Sequence, residues 1–223
     1  MTSEATTTDS IASQVAVFNE GFTAQIGPQL SGVFADEQAR LNAAGTPAGA
    51  VARGDTLPDA PLVTADGTST TLHEVIGDRP AVVVFYRGAW CPYCNITLKT
   101  YQRELLPQLT DRGIALVAVS PQTPEGSAQA VENGDLGFAV LSDPGNALVR
   151  QLGILTEPTA DARAAHSQLG FDVADSNADS TGDIPFPTVL VVDAGRTVQF
   201  ADVHVDYTTR TEVPRILQAV AAL

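Results

Sequence analysis

The chain has 223 residues, 44% of them hydrophobic, enough for one sizeable core with an appendage. Its 26 acidic against 12 basic residues give a net charge of -14, which repels phosphate backbones and anionic lipid and so argues against nucleic-acid and membrane-surface partners. The start, Met1 to Ser10, is polar and acidic without the basic and apolar regions of a leader, and no apolar run approaches the roughly 18 residues of a span. The expectation is a cytoplasmic protein, in a compartment where a cysteine pair is catalytic more often than structural.

In chain order, residues 9 to 45 read as helical. Ile11, Val15, Phe18 and Phe22 recur at helical spacing, and after the break Gly27-Pro28 a second series runs Leu30, Val33, Phe34, Leu41. Each stripe needs a partner, either the main domain or, as a dimer arm, a second copy of the chain in a homodimer. Gly- and Pro-rich sequence from 45 to 61 then links this extension, 1–49, to a domain predicted over 50–223. Leu62 to Thr64 and Thr70 to Leu72 flank the turn Asp66-Gly67 as a hairpin. Ala81 to Tyr86 is an apolar strand of the kind buried on both faces. A helix follows from Cys91 toward Leu106. Strand Ile114 to Ser120, helix Thr123 to Asn133, strand Phe138 to Leu141 and helix Asn146 to Leu152 continue the alternation. Two strands, Val189 to Val192 and Thr197 to Val203, flank the turn Asp193-Ala194-Gly195, and helix Thr211 to Ala222 closes the chain. This order predicts an α/β, thioredoxin-like fold: a central mixed sheet flanked by helices, with an N-terminal helical extension. Over about 156–184 periodicity fails. That acidic, Ala- and Ser-rich stretch reads as an irregular insertion over or beside the site, and its Asp175, Asn177 and Asp179 lack the glycine and glutamate of a calcium loop.

The chemistry concentrates in Cys91-Pro92-Tyr93-Cys94, which holds both cysteines of the chain between a strand and a helix. The thiolate is the nucleophile of thiol chemistry, and a helix N-terminus stabilises it through free N–H groups and the helix dipole. Zinc would need two more ligands at short spacing, yet His73, His166 and His204 are scattered singly, so no metal is expected. Two inert buried thiols would leave the strand-to-helix placement accidental. A redox-active dithiol is the reading that uses all of it.

With these residues in hand, the chain resembles the peroxiredoxin-like proteins of the alkyl hydroperoxide reductase and thiol-specific antioxidant family, in the branch with a thioredoxin-style Cys-x-x-Cys. The resemblance rests on residues 54–61, on Val84 to Cys94, on Val119 to Pro124, on Leu141 to Asn146 and on Pro187 to Asp193. It implies a thiol-dependent peroxidase with no cofactor, cycling Cys91 and Cys94 between dithiol and disulfide. The substrate would be a hydroperoxide or a disulfide, and a thioredoxin- or glutaredoxin-type reductant would restore the pair. A thioredoxin-like disulfide reductase and a redox-sensing binding module are the alternatives. Two registers compete. The peroxiredoxin pattern puts Arg87 at its proline, Cys91 at its threonine and Cys94 at its peroxidatic cysteine; the thioredoxin pattern makes Cys91, preceded by Trp90, the nucleophile. The sequence favours Cys91 for disulfides and leaves the peroxide choice open. Phe186 stands where the family arginine would be, Pro187 resembles the cis-proline that faces a thioredoxin dithiol, and Arg87 reads as a rim residue able to replace the missing donor. Arg87, Trp90, Phe186 and Pro187 are thus the candidate substrate contacts.

Overall fold

A computed structural model describes residues 10–223. The first helix, α1 (Ile11–Ala44), opens on Ser10, whose side chain accepts the Ser13 N–H, and is broken at Gly27, whose φ of 76° is open to glycine and precedes Pro28. The break expected at Gly27-Pro28 is therefore present. Ile11, Val15 and Leu41 are buried against the rest of the chain, whereas Phe18, Phe22, Leu30, Val33 and Phe34 of the same stripes are only partly buried.

The hairpin β1 (Pro61–Thr64) and β2 (Ser69–Thr71) runs into α2 (Leu72–Ile76), which Thr71 and Glu74 open as a reciprocal capping box. Next come β3 (Ala81–Phe85) and α3 (Pro92–Thr100). Instead of one helix to Leu106, α3 passes into a π-helical turn at Tyr101–Leu105 and resumes as α4 (Leu106–Thr110). Pro107 supplies the reason, since it cannot donate to the preceding turn and the ladder widens around it. The alternation continues with β4 (Ala115–Ser120), α5 (Pro124–Gly134), β5 (Ala139–Ser142) and α6 (Ala147–Gln151), then β6 (Leu155–Thr156).

The stretch expected to be irregular contains two helices, α7 (Ala160–Gln168) and α8 (Val173–Ser176), before β7 (Ile184–Pro185) pairs with β6. Helix α7 is capped by the Thr159 hydroxyl on Ala162 N and buries Ala162, Ala165 and His166, small or polar residues that give no apolar stripe to read. Asn177, part of the rejected calcium pattern, ties its loop by donating to the carbonyls of Thr181 and Asp183. The chain ends with β8 (Thr188–Val192), β9 (Val198–Val203) and α9 (Val213–Val220).

Seven strands form one mixed sheet in the order β2-β1-β5-β4-β3-β8-β9, with β3, β4 and β5 parallel and β8 antiparallel to β3. Every residue of β3 and β4 is buried. Strand alternation divides the core: Val82, Val84 and Tyr86 face α3, α9 and the start of α1, whereas Ala81, Val83 and Phe85 face the layer of α2 and α6. This is the thioredoxin-like arrangement, and it delivers residues 86–91 from the C-terminal end of a central strand onto the N-terminus of α3.

Candidate active site

The connection from β3 to α3 is shaped by Gly88, whose φ is 149°; a Cβ there would lie 2.4 Å from Trp90 Nε1. Ala89 donates its N–H to Gln122 Oε1 at 2.6 Å, and Asn95 Nδ2 donates back to the Ala89 carbonyl at 2.8 Å. Cys91 is the N-cap of α3, Pro92 occupies the first turn where no N–H is needed, and Cys94 N donates to Cys91 O at 3.1 Å. Cys91 and Cys94 are 1% and 0% exposed and both are free thiols, so the pair is in its dithiol form.

The two sulfurs sit in unequal fields. Burial pushes the Cys91 thiol well up, and its hydrogen bond to Cys94 adds to the rise. Burial also opposes ionisation of Cys94. There, however, the hydrogen bond from Cys91, the charge of Arg210 and the Arg87 backbone N–H outweigh it and bring the thiol down. Arg210 Nη2 donates to Cys94 Sγ at 3.2 Å and to Cys91 Sγ at 3.9 Å. Its Nη1 donates to the carbonyls of Tyr207 and Thr209, both at 2.6 Å, which fixes the guanidinium from the far side. The loop carrying it is anchored in turn: Tyr101 Oη donates to Thr211 O at 2.6 Å and Thr211 Oγ1 to Asp202 at 2.9 Å.

Arg210 is absent from the sequence reading. It lies 116 residues from Cys94, in the polar stretch Tyr207 to Thr211 between β9 and α9, and nothing in spacing or periodicity links the two. The predicted candidates fare differently. Arg87 is no solvated rim residue: it is 5% exposed, with its guanidinium carbon 4.9 Å from the Trp90 ring and 4.4 Å from that of Tyr207. Trp90 stacks on Phe171 with centroids 5.5 Å apart and tilts against His166 at 5.8 Å, so the segment read as an insertion lies beside the site. Phe186 points elsewhere. It is buried with Leu41 and Tyr207 and brings nothing to the sulfurs.

Pro187 does border Cys94, sharing a small cavity with Tyr86, Thr188 and Arg210, but its peptide bond is trans, as are all others among the described residues. The expected cis-proline is therefore a correction. Phe186 N is bound to Ile154 O at 2.7 Å and Pro187 O accepts His204 N at 2.8 Å, so the chain passes extended from β7 into β8 with the ordinary isomer. Among the described residues no cluster of three or more metal-ligating side chains occurs.

The first half of α1 covers the motif. Phe18 meets the Tyr93 ring edge-on at 5.4 Å and Asn19 Oδ1 accepts the Tyr93 hydroxyl at 2.8 Å. Between α1, α7 and the motif a cleft of about 560 Å³ remains, with Cys91 but not Cys94 on its wall.

Residues 53–201 match the AhpC/TSA family. A putative peroxiredoxin of Mycobacterium tuberculosis strain H37Rv is 33% identical over 104 residues, covering 47% of this chain and 65% of that protein. The peroxiredoxin Bcp of Escherichia coli K12 is 29% identical over the same length and the same shares. The chain thus spans between about half and just under two thirds of the length of the curated relatives it matches. Among solved structures, peroxidoxin BcpB of Mycobacterium tuberculosis superposes with a TM-score of 0.59 at 19% identity, over 80% of this chain and 99% of that one, which is a likeness of fold. On the match of two thirds of its length, the chain belongs to the AhpC/TSA family.

Proposed function

We propose that the protein is a thiol-dependent peroxidase in which Cys94 supplies the attacking thiolate and Cys91 resolves the product. The observation that carries this reading is the Arg210 guanidinium 3.2 Å from Cys94 Sγ, with Cys91 as its hydrogen-bond neighbour. A peroxidatic site needs a stabilised thiolate and a fixed cation for the charge that develops on the leaving oxygen. Arg210 offers both from one position. The Cys94 thiolate attacks one oxygen of the hydroperoxide, the O–O bond breaks, and the alkoxide or hydroxide leaves with a proton to give Cys94 sulfenic acid and ROH. The Cys91 thiol then displaces water from that sulfenic acid, forming the Cys91–Cys94 disulfide. A thioredoxin- or glutaredoxin-type dithiol restores the pair by exchange, in a reducing compartment such as the cytoplasm.

The geometry weighs toward the peroxiredoxin register over the one that begins at Cys91, since the Arg210 guanidinium lies 3.2 Å from Cys94 Sγ against 3.9 Å from Cys91 Sγ. Protein-disulfide reduction is the second reading, favoured by the presence of Cys91 and Trp90 on the large cleft. At 1% exposure, however, Cys91 offers a protein disulfide little to dock on. In this reading α1, the helical part of the extension, forms a roof over the domain of residues 50–223, and the stretch 156–184 forms the side wall. The test is the second-order rate of the reduced protein with hydrogen peroxide. The expected rate exceeds that of free cysteine by at least about 10²-fold, the usual contribution of one preorganised donor. A rate no greater than free cysteine, alongside catalytic reduction of insulin, would establish the reductase instead.

A further inference from the structure

Arg210 Nη1 is held by the carbonyls of Tyr207 and Thr209, so the guanidinium goes where its own loop goes. The two residues that flank it, Thr209 and Thr211, present their hydroxyls to one imidazole. His204 Nδ1 lies 2.7 Å from Thr209 Oγ1, and its Nε2 lies 3.2 Å from Thr211 Oγ1. Nε2 is also 3.2 Å from Asp202 Oδ2, the oxygen that accepts the Thr211 hydroxyl at 2.9 Å. An ionised carboxylate only accepts, so Nε2 carries a proton toward it, and this contact sets the orientation of the ring. Asp202 is in turn held below the ordinary carboxylate range, first of all by that hydrogen bond. His204 stands just past the end of β9, where its backbone N–H donates to Pro187 O at 2.8 Å, and it borders the small cavity shared by Cys94 and Arg210. The His204 and Asp202 side chains are only 15% and 16% exposed, so water screens their contact little. Arg215, the other cation on Asp202, reaches it at 3.4 Å from a side chain 58% exposed and is the weaker partner.

A catalytic group displaced by about 1 Å can cost on the order of 10²-fold in rate, so a long arginine side chain on a polar loop needs a support that fixes the loop. We propose that His204 is that support, a positioning residue for the attacking thiolate: oriented by Asp202, its ring clamps Thr209 and Thr211 on either side of Arg210 and keeps the guanidinium on Cys94 Sγ. It acts through Arg210 and not on the sulfur itself. The part this plays in peroxide reduction rests on the peroxidase reading, whereas the clamp on the Cys94 thiolate does not.

The test is the pH profile of iodoacetamide alkylation in the full-length reduced protein carrying Cys91→Ser, where Cys94 alone reports. His204→Ala should move the inflection upward and slow alkylation below it by about threefold to tenfold, the worth of one hydrogen bond. Thr209→Val, at an exposed position on the other end of the clamp, should slow alkylation in the same direction and carries the test if His204→Ala does not fold. His204→Gln, whose amide can donate to Asp202, should recover part of the rate. A merely structural role is separated by Arg210→Met. With the guanidinium gone, His204→Ala should change the rate by less than about twofold, because residues that act as a unit are not additive. A profile unmoved by His204→Ala and by Thr209→Val, or a slowing as large without Arg210 as with it, would overturn the proposal. Alkylation needs no peroxide, so the two readings fail separately. A clamp effect without hydrogen peroxide turnover would refute only the peroxidase, and turnover with an unmoved profile only the clamp.

Discussion

Replacing Arg210 by methionine keeps the apolar stem and removes the one charge in hydrogen-bond contact with Cys94 Sγ, at 3.2 Å. At an effective dielectric of about 20, a unit charge at that distance is worth about 5 kcal/mol, an upper bound before the guanidinium's own desolvation is deducted. Hydrogen bonds to charged groups measure about 1.5–3 kcal/mol, which at 1.36 kcal/mol per unit raises the Cys94 pKa by about 1–2 units. The backbone N–H of Arg87 stays in place, so part of the lowering should persist. The assay is the pH dependence of iodoacetamide alkylation in a Cys91→Ser background, where only Cys94 reports. The inflection should move up by one to two units, and peroxide turnover near neutral pH should fall by about 10²-fold or more, because the same group faces the leaving oxygen. Arg210→Lys should recover part of the shift. Since Arg210 also holds the carbonyls of Tyr207 and Thr209, the thermal midpoint is read in parallel. A titration of Arg210→Met that superimposes on that of the parent would refute the claim that this guanidinium sets the thiolate.

Gly88→Ala places a Cβ 2.4 Å from Trp90 Nε1 at a φ of 149°, so it should destabilise the protein by about 1–3 kcal/mol in denaturant unfolding and disturb Trp90 fluorescence. An unchanged midpoint would mean that the strand-to-helix connection is slack. For His166, the folded value of about 4 lies below the ordinary 6.5, so the unfolded chain binds the extra proton first. Stability from this group is therefore complete above about pH 6.5 and lost as pH falls toward 4, by up to about 3 kcal/mol. In His166→Phe that acid-side loss should be absent, and an identical acid slope in the two proteins would contradict it. Phe18→Ala removes the edge contact on Tyr93 and should loosen the roof, raising the rate of Cys91 alkylation; an unchanged rate would detach α1 from access to the site.

The sheet was legible because β3, β4 and β8 are apolar runs bounded by turn residues, and the dithiol because both cysteines lie at one strand-to-helix junction. Residues that act across the fold were not. Arg210 reaches Cys94 only once β9 and α9 fold back beside α3, and a lone arginine in a polar loop carries no periodic signal. Arg87 was misread as a rim group because its burial depends on Tyr207, 120 positions away, and on α1 above it. Helix α7 escaped because its buried face is alanine and histidine, and its place is fixed by contacts with α1, the Glu37 carboxylate on Thr159 among them. The trans isomer at Pro187 is likewise announced by neither composition nor motif.

The central claim is that Cys94, not Cys91, attacks peroxide. It is tested most directly by mixing reduced Cys91→Ser and Cys94→Ser proteins with one equivalent of hydrogen peroxide and following the reaction by stopped-flow fluorescence and mass analysis. The account predicts that Cys91→Ser consumes the equivalent at close to the parent rate and accumulates sulfenic acid at Cys94, while Cys94→Ser reacts no faster than free cysteine. Rapid oxidation of Cys91 in the Cys94→Ser protein, with Cys91→Ser inert, would contradict it.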